Sequence, residues 1–135
     1  MATNIFVNLP VRDLDKSVAF FTQLGYRFNA QFTDATATCM IISDTIYAML
    51  LTHEKFKSFI KTEICDATRS TEVLLCLSQD SRQAVDDLVD KAIAAGATEP
   101  RAAQDHGFMY GRAYQDLDGH IWEIMWMDPG AVHQD

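Results

Sequence analysis

The reactive side chains of this chain are few, and their spacing limits what they could do. The histidines are His53, His106, His120 and His133; the cysteines are Cys39, Cys65 and Cys76. An odd number of widely spaced cysteines forms neither a disulfide framework nor a zinc cluster, so the thiols read as reduced. The sequence holds no glycine-rich phosphate loop, no helical His-Glu-x-x-His pair and no supportable Ser-His-Asp arrangement. Cys76 would need a base beside it to act as a nucleophile. No histidine is placed there by spacing, and Cys76 reads as a structural thiol. Carboxylates and one arginine remain: Glu72, near Cys76, and Arg112, with Tyr110, upstream of Glu123. A carboxylate can move a proton or help to hold a divalent ion, and an arginine can grip an anionic group through two parallel hydrogen bonds.

These residues need a scaffold, and periodicity supplies one. Leu14, Val18, Phe21 and Leu24 make one apolar stripe of a helix over 14–24, with Asp13 as N-cap and Gly25 as stop. Val85, Leu88, Val89 and Ala92 make the same stripe over 81–95, with Ser81 or Asp80 as cap and Gly96 as stop. A strand-like run precedes each helix, at 5–11 and 72–78. Three more follow each, at 27–32, 36–43 and 46–52, then at 98–103, 108–115 and 120–127. Ser43-Asp44 and Asp118-Gly119 mark the turns before the last strand of each half. The order β-α-β-β-β therefore occurs twice. Gly25 and Gly96 are offset by 71, Phe6 and Leu74 by 68, and Ile46-Tyr47-Ala48-Met49 resembles Ile121-Trp122-Glu123-Ile124 at an offset of 75.

The expected layout is one domain over residues 1–135, with module one at about 3–52, a linker at 53–69 and module two at about 70–128. A short helix is expected inside the linker, around 54–60. At 135 residues and 48% hydrophobic content, the chain can bury a sizeable core. A net charge of −8 repels phosphate backbones, which argues against nucleic acid as a partner and otherwise serves solubility. No apolar run approaches the roughly 20 residues of a membrane span. No secretory signal is visible at the start, so the expected location is the cytoplasm.

The stretch Asn8–Tyr26, NLPVRDLDKSVAFFTQLGY, resembles the first strand and helix of the glyoxalase/bleomycin-resistance/dioxygenase superfamily, the vicinal oxygen chelate fold. The stretch Tyr114–Glu123, YQDLDGHIWE, resembles its closing hairpin D-P-D-G-x-x-x-E, with Leu117 in the proline's place. More narrowly, the chain is similar to small bacterial proteins described as predicted lactoylglutathione lyases. The resemblance implies an α+β fold: two tandem βαβββ modules whose curved mixed sheets enclose a shared concave cavity. It also implies a homodimer, as in many relatives.

In metal-dependent relatives, the first and last strands of each module supply four ligands to a divalent ion. By that resemblance the positions here are Phe6, Leu74, Glu123 and either Ala48 or Leu50. Glu123 alone keeps a donor, and one donor does not hold an ion. Glu72 and Cys76 share the face of Leu74, each about 6.5 Å along the strand. The expected lining is Phe6, Leu50, Leu74 and Met125, with Asn8, Glu72, Cys76 and Glu123 as polar points and Tyr110 and Arg112 on the neighbouring strand. Arg112 is a candidate partner for Glu123 or for an anionic ligand. Trp122 and Trp126 alternate with Glu123 and belong against the helices. The expectation is a small-molecule-binding protein without cofactor. Two alternatives stay open: a metal-dependent lyase or isomerase acting on a glutathione adduct, and a metal-free enzyme with Glu123 as general base.

Overall fold

A computed structural model describes residues 3–131; His133 lies outside the described residues. The chain divides into two compact units, residues 1–65 and 66–135. Each contains a four-stranded mixed sheet and one long helix.

Unit one runs β1 (Ile5–Val11), α1 (Leu14–Gln23), β2 (Arg27–Asn29), a 3-10 turn at Ala30–Phe32, β3 (Ala37–Ile41), β4 (Ile46–Thr52) and α2 (His53–Lys57). Its strand order is β1-β4-β3-β2, with β1 parallel to β4 and the other pairs antiparallel. Asp13 caps α1 by accepting from the Lys16 backbone N–H at 3.0 Å, and Gly25 ends the helix region with a positive φ. Leu14, Phe20, Phe21 and Leu24 are buried with Leu9, Val11, Ala48 and Leu50 of the strands. The expected linker helix is thus a short one that packs against β1 and β4, as part of unit one.

Unit two repeats the plan: β5 (Leu74–Ser78), α3 (Arg82–Ala94), β6 (Gln104–Asp105), β7 (Met109–Gln115) and β8 (Ile121–Met127). Its order is β5-β8-β7-β6, with β5 parallel to β8. Ser81 caps α3 on the Ala84 N–H at 3.0 Å, and Val85, Leu88, Val89 and Ala92 are all buried. The run expected as a strand at 98–103 is irregular, apart from a bridge between Thr98 and Gln115. Pro100 lies in its middle and cannot donate to a ladder.

The β7–β8 turn is organised by one buried carboxylate. Asp116 accepts from the backbone N–H groups of Asp118 and His120, both at 3.0 Å, and from the Trp122 indole N–H at 2.9 Å. Gly119 completes the turn at φ +91°, and a Cβ there would lie 2.7 Å from the Ala67 and Thr68 backbone. Gly25, at φ +102°, has nothing within 4 Å of such a Cβ. Gly119→Ala should therefore lower stability by about 2–4 kcal/mol in urea denaturation. Gly25→Ala should cost about 1 kcal/mol. Equal losses at the two positions would rule out close packing as the reason for Gly119.

Candidate functional site

Strand pairing assigns each residue to a face, because register partners share a side and successive residues alternate. In unit one, Val7, Leu9 and Val11 join Ala48 and Leu50 on the α1 side. Phe6, Asn8 and Pro10 join Tyr47, Met49 and Leu51 on the opposite side. Phe6 stacks on Tyr47 with ring centroids 4.8 Å apart. Residues of α2 and the turn after it close over part of this second face. Asn8, Leu51, Phe56, Phe59 and Ile60 line a pocket of about 380 Å³ there. The Asn8 side-chain amide donates to the Phe6 carbonyl at 3.2 Å, and the Lys55 ammonium lies 5.4 Å from the centre of the Phe59 ring.

In unit two, Leu75, Leu77, Trp122 and Ile124 lie on the α3 side, and Leu74, Cys76, Glu123 and Met125 on the other. Cys76 and Glu123 are direct register partners. On the other flank Glu123 pairs with Ala113. The carboxylate of Glu123 accepts a 2.6 Å hydrogen bond from Nη2 of Arg101, in the irregular stretch before β6. This ion pair is partly shielded, with the side chains 33% and 26% exposed. Nη1 of the same guanidinium is enclosed and has no hydrogen-bond partner. Desolvation and then the Glu123 carboxylate push the Cys76 thiol up, against a smaller opposing pull from Arg101. Cys76 therefore stays protonated at neutral pH and is no activated nucleophile.

Several expected site residues come together, and others do not. Phe6 and Asn8 share one face in unit one; Leu74, Cys76, Glu123 and Met125 share one in unit two. Leu50 is a correction: it is 1% exposed and packs on the α1 side, in register with Leu9. Glu72 precedes β5 and is exposed, so strand alternation does not aim it. Tyr110 and Arg112 are corrections too. Their register partners are Trp126 and Ile124, which puts both on the α3 side. There the Tyr110 hydroxyl donates to Asp86 at 2.7 Å. Arg112 donates to Asp86, Asp90 and both carboxylate oxygens of Glu99 at 2.9–3.1 Å. These bonds, with Glu99 foremost, raise the Arg112 pKa further. Arg101, the actual partner of Glu123, lies in the run misread as a strand; Pro100 before it was the signal of a loop.

The repeat also needed a one-residue adjustment. Asn8 pairs with Met49 as Cys76 pairs with Glu123, so Met49 is the counterpart of Glu123. An offset of 75 between the last strands had set Ala48 there, on the wrong face.

Comparison with known proteins agrees with this geometry. Residues 3–43 match the family described as bleomycin resistance protein-like N-terminal. A hypothetical protein from S. aureus superposes with a TM-score of 0.79 at 26% identity, over 93% of this chain and 94% of that one. A glyoxalase/bleomycin resistance protein/dioxygenase family enzyme from Burkholderia phytofirmans PsJN gives 0.76 at 24%, over 93% and 99%. A glyoxalase-related enzyme from Fulvimarina pelagi gives 0.78 at 19%, over 93% and 88%. No curated protein matches the chain. The two modules define a tandem βαβββ protein. The chain thus shares the fold of glyoxalase/bleomycin resistance protein/dioxygenase family proteins, and its first 43 residues carry a pattern similar to the bleomycin resistance protein-like N-terminal family.

The divalent ion of metal-dependent relatives does not fit these residues. Phe6, Met49 and Leu74 stand on the relevant faces without a hard donor, and the Glu123 carboxylate is held by a cation. Among the described residues, no group of three or more histidine, cysteine, aspartate or glutamate side chains is placed to hold a metal.

Arg112 has a structural duty. Its side chain is 12% exposed and separates three carboxylates. Arg112→Met should cost about 2–4 kcal/mol in chemical denaturation, since it leaves those charges without their shared partner. A loss below about 0.5 kcal/mol, the size expected of an ordinary surface site, would contradict this role.

Proposed function

We propose that the chain binds a small organic molecule without a resident metal or other cofactor, in the manner of a bleomycin resistance-like protein. The apolar pocket of about 380 Å³ in unit one carries this reading. It has the size and character of a ligand site: hydrocarbon and aromatic walls, one amide at Asn8 and a cation near the rim at Lys55. An apolar or aromatic ligand would displace water from Phe56 and Phe59 and gain area-dependent affinity.

A lactoylglutathione lyase-like activity would need an ion to polarise a carbonyl and stabilise an enediolate. Apart from Glu123, the side chains at those positions, Phe6, Met49 and Leu74, offer no oxygen or nitrogen donor, which speaks against that alternative. A metal-free enzyme with Glu123 as base has one favourable observation, the partial exposure of that carboxylate. Its Oε2 is already taken by the hydrogen bond from Arg101, which makes this the weaker reading. A homodimer and a cytoplasmic location belong to the same proposal. β1 and β5 are sheet-edge strands that carry exposed Ile5, Phe6 and Leu74, surfaces a second copy would cover. In the described residues, no helix is long and apolar enough to cross a membrane.

The test begins with protein purified without a histidine tag. Elemental analysis should find far less than one metal ion per chain. Addition of nickel or zinc should give no turnover of the methylglyoxal–glutathione adduct. Ligand-observed NMR with benzene-based fragments should detect binding, and Phe59→Ala should weaken it about 10-fold, the loss of roughly 1–2 kcal/mol of apolar contact. Stoichiometric metal held by Glu123 and two or more other side chains would overturn the proposal, as would a full set of fragments that fail to bind.

A further inference from the structure

We propose that the ligand of the unit-one pocket is a small organic anion: an aromatic or branched hydrocarbon body with one carboxylate that pairs with the Lys55 ammonium. The inference rests on the small-molecule-binding reading above and names the charge class of the ligand.

The charge of the chain is unevenly divided. Residues 1–65 carry six lysines and arginines against six aspartates and glutamates; residues 66–135 carry five against thirteen. The net charge of −8 therefore belongs to unit two, and unit one, which holds the pocket, is neutral as a whole. Within unit one, the segment that closes over the pocket is the basic part. Residues 53–63 hold three of the chain's five lysines, Lys55, Lys57 and Lys61, against Glu54 and Glu63. Lys57 and Lys61 are exposed, and each directly follows a lining residue, Phe56 or Ile60. Lys55 is half-buried, and its ammonium lies 5.4 Å from the centre of the Phe59 ring, a wall of the pocket. An acidic group, Asp34, lies within electrostatic reach of Lys55. Its Oδ1 accepts from the Thr36 N–H and hydroxyl and from the Ala37 N–H at 2.7–3.0 Å. No ion pair ties it to Lys55 among the described residues.

The charge beside Phe59 selects the class of ligand. The Asn8 amide has both donor and acceptor atoms, so it does not discriminate between an anion, a cation and a neutral polar group. Leu51, Phe56, Phe59 and Ile60 ask only for hydrocarbon. Lys55 does discriminate. A ligand cation seated against Phe59 would face the ammonium, a neutral group would gain little from it, and a carboxylate would gain a charge-assisted hydrogen bond. The ammonium is a compact charge on a flexible stem, and its three donors can turn to meet a carboxylate brought in by the ligand. A doubly charged phosphate is better served by an arginine fork or a run of backbone N–H groups. One ammonium and one amide suit a single negative charge. A volume of about 380 Å³ is near the lower end for ligand sites, so the body is one or two rings or a branched chain of similar bulk.

The experiment uses phenylacetate, phenylacetamide and protonated phenethylamine, probes of similar shape and different charge, on the full chain at neutral pH and low salt. Dissociation constants come from NMR titration followed at the amide resonances of Phe56, Phe59 and Ile60. Phenylacetate should bind at least about 3-fold more tightly than phenylacetamide, the gain of an ion pair at a partly exposed site. It should bind at least about 10-fold more tightly than phenethylammonium, which meets repulsion in place of attraction. Raising the salt to about 0.5 M should shrink both ratios. Lys55→Met keeps the apolar stem, so phenylacetamide affinity should hold while the preference for phenylacetate falls below about 2-fold. Lys55→Gln, a second neutral variant, should lose the preference in the same way, and Lys55→Arg should keep it. Phenylacetamide or phenethylammonium binding the wild type as tightly as phenylacetate would overturn this inference alone, as would an anion preference that survives in the neutral variants. If none of the three probes shifts those resonances, the binding reading falls and this inference with it.

Discussion

In each unit one long helix covers one face of a four-stranded sheet, and that coverage settles what every strand residue can do. Residues of one parity are committed to hydrocarbon packing: Leu9, Val11 and Leu50 in one unit, Trp122 and Ile124 in the other. Residues of the other parity face away from the long helix, and the lining residues Asn8 and Leu51 and the carboxylate of Glu123 lie on that side. The helices hold their places through local chemistry that is modest at each point. Side-chain caps at Asp13 and Ser81 and positive-φ glycines behind each helix fix where the apolar stripes begin and end.

Because side-chain direction has a period of two, most of the fold was legible in the sequence and part of the site was not. The helices, β1 and β4 were readable almost to the residue, since their stripes and caps are local signals. Faces required register, which is a non-local fact. Leu50 and Met49 are neighbours in sequence, yet one is core and the other lies on the opposite face. Aligning the two last strands by residue type gave an answer one position out, and one position is enough to invert a face. Arg112 failed for the same reason. The pairing of Gln115 with Ile121 across the turn sets Arg112 opposite Ile124, so it cannot meet Glu123. Arg101 failed differently: Glu99-Pro100-Arg101 was read as strand although proline breaks such a run.

The two arginines show how position divides similar chemistry between a complete and an incomplete set of hydrogen bonds. Arg112 has its donors engaged by three carboxylates of its own unit, and its geometry is complete. Arg101 is engaged on one branch and incomplete on the other. A satisfied buried network favours a single arrangement of its surroundings, whereas an enclosed donor without a partner is a cost to its own unit. The acidic sequence fits this division: cations are scarce, and these two are placed with carboxylates.

The contact between the β7–β8 turn and the backbone at Ala67 and Thr68 has a consequence for where the second module begins. The Gln115 side-chain amide also reaches this stretch, with its nitrogen 3.5 Å from the Ala67 carbonyl oxygen. The incoming strap is therefore a wall of the turn that precedes Glu123, and no free tether. Excising the module at residue 70 would strip that wall away and leave the hairpin's bend open to water. A cut at residue 66 would carry the wall along with the piece it protects.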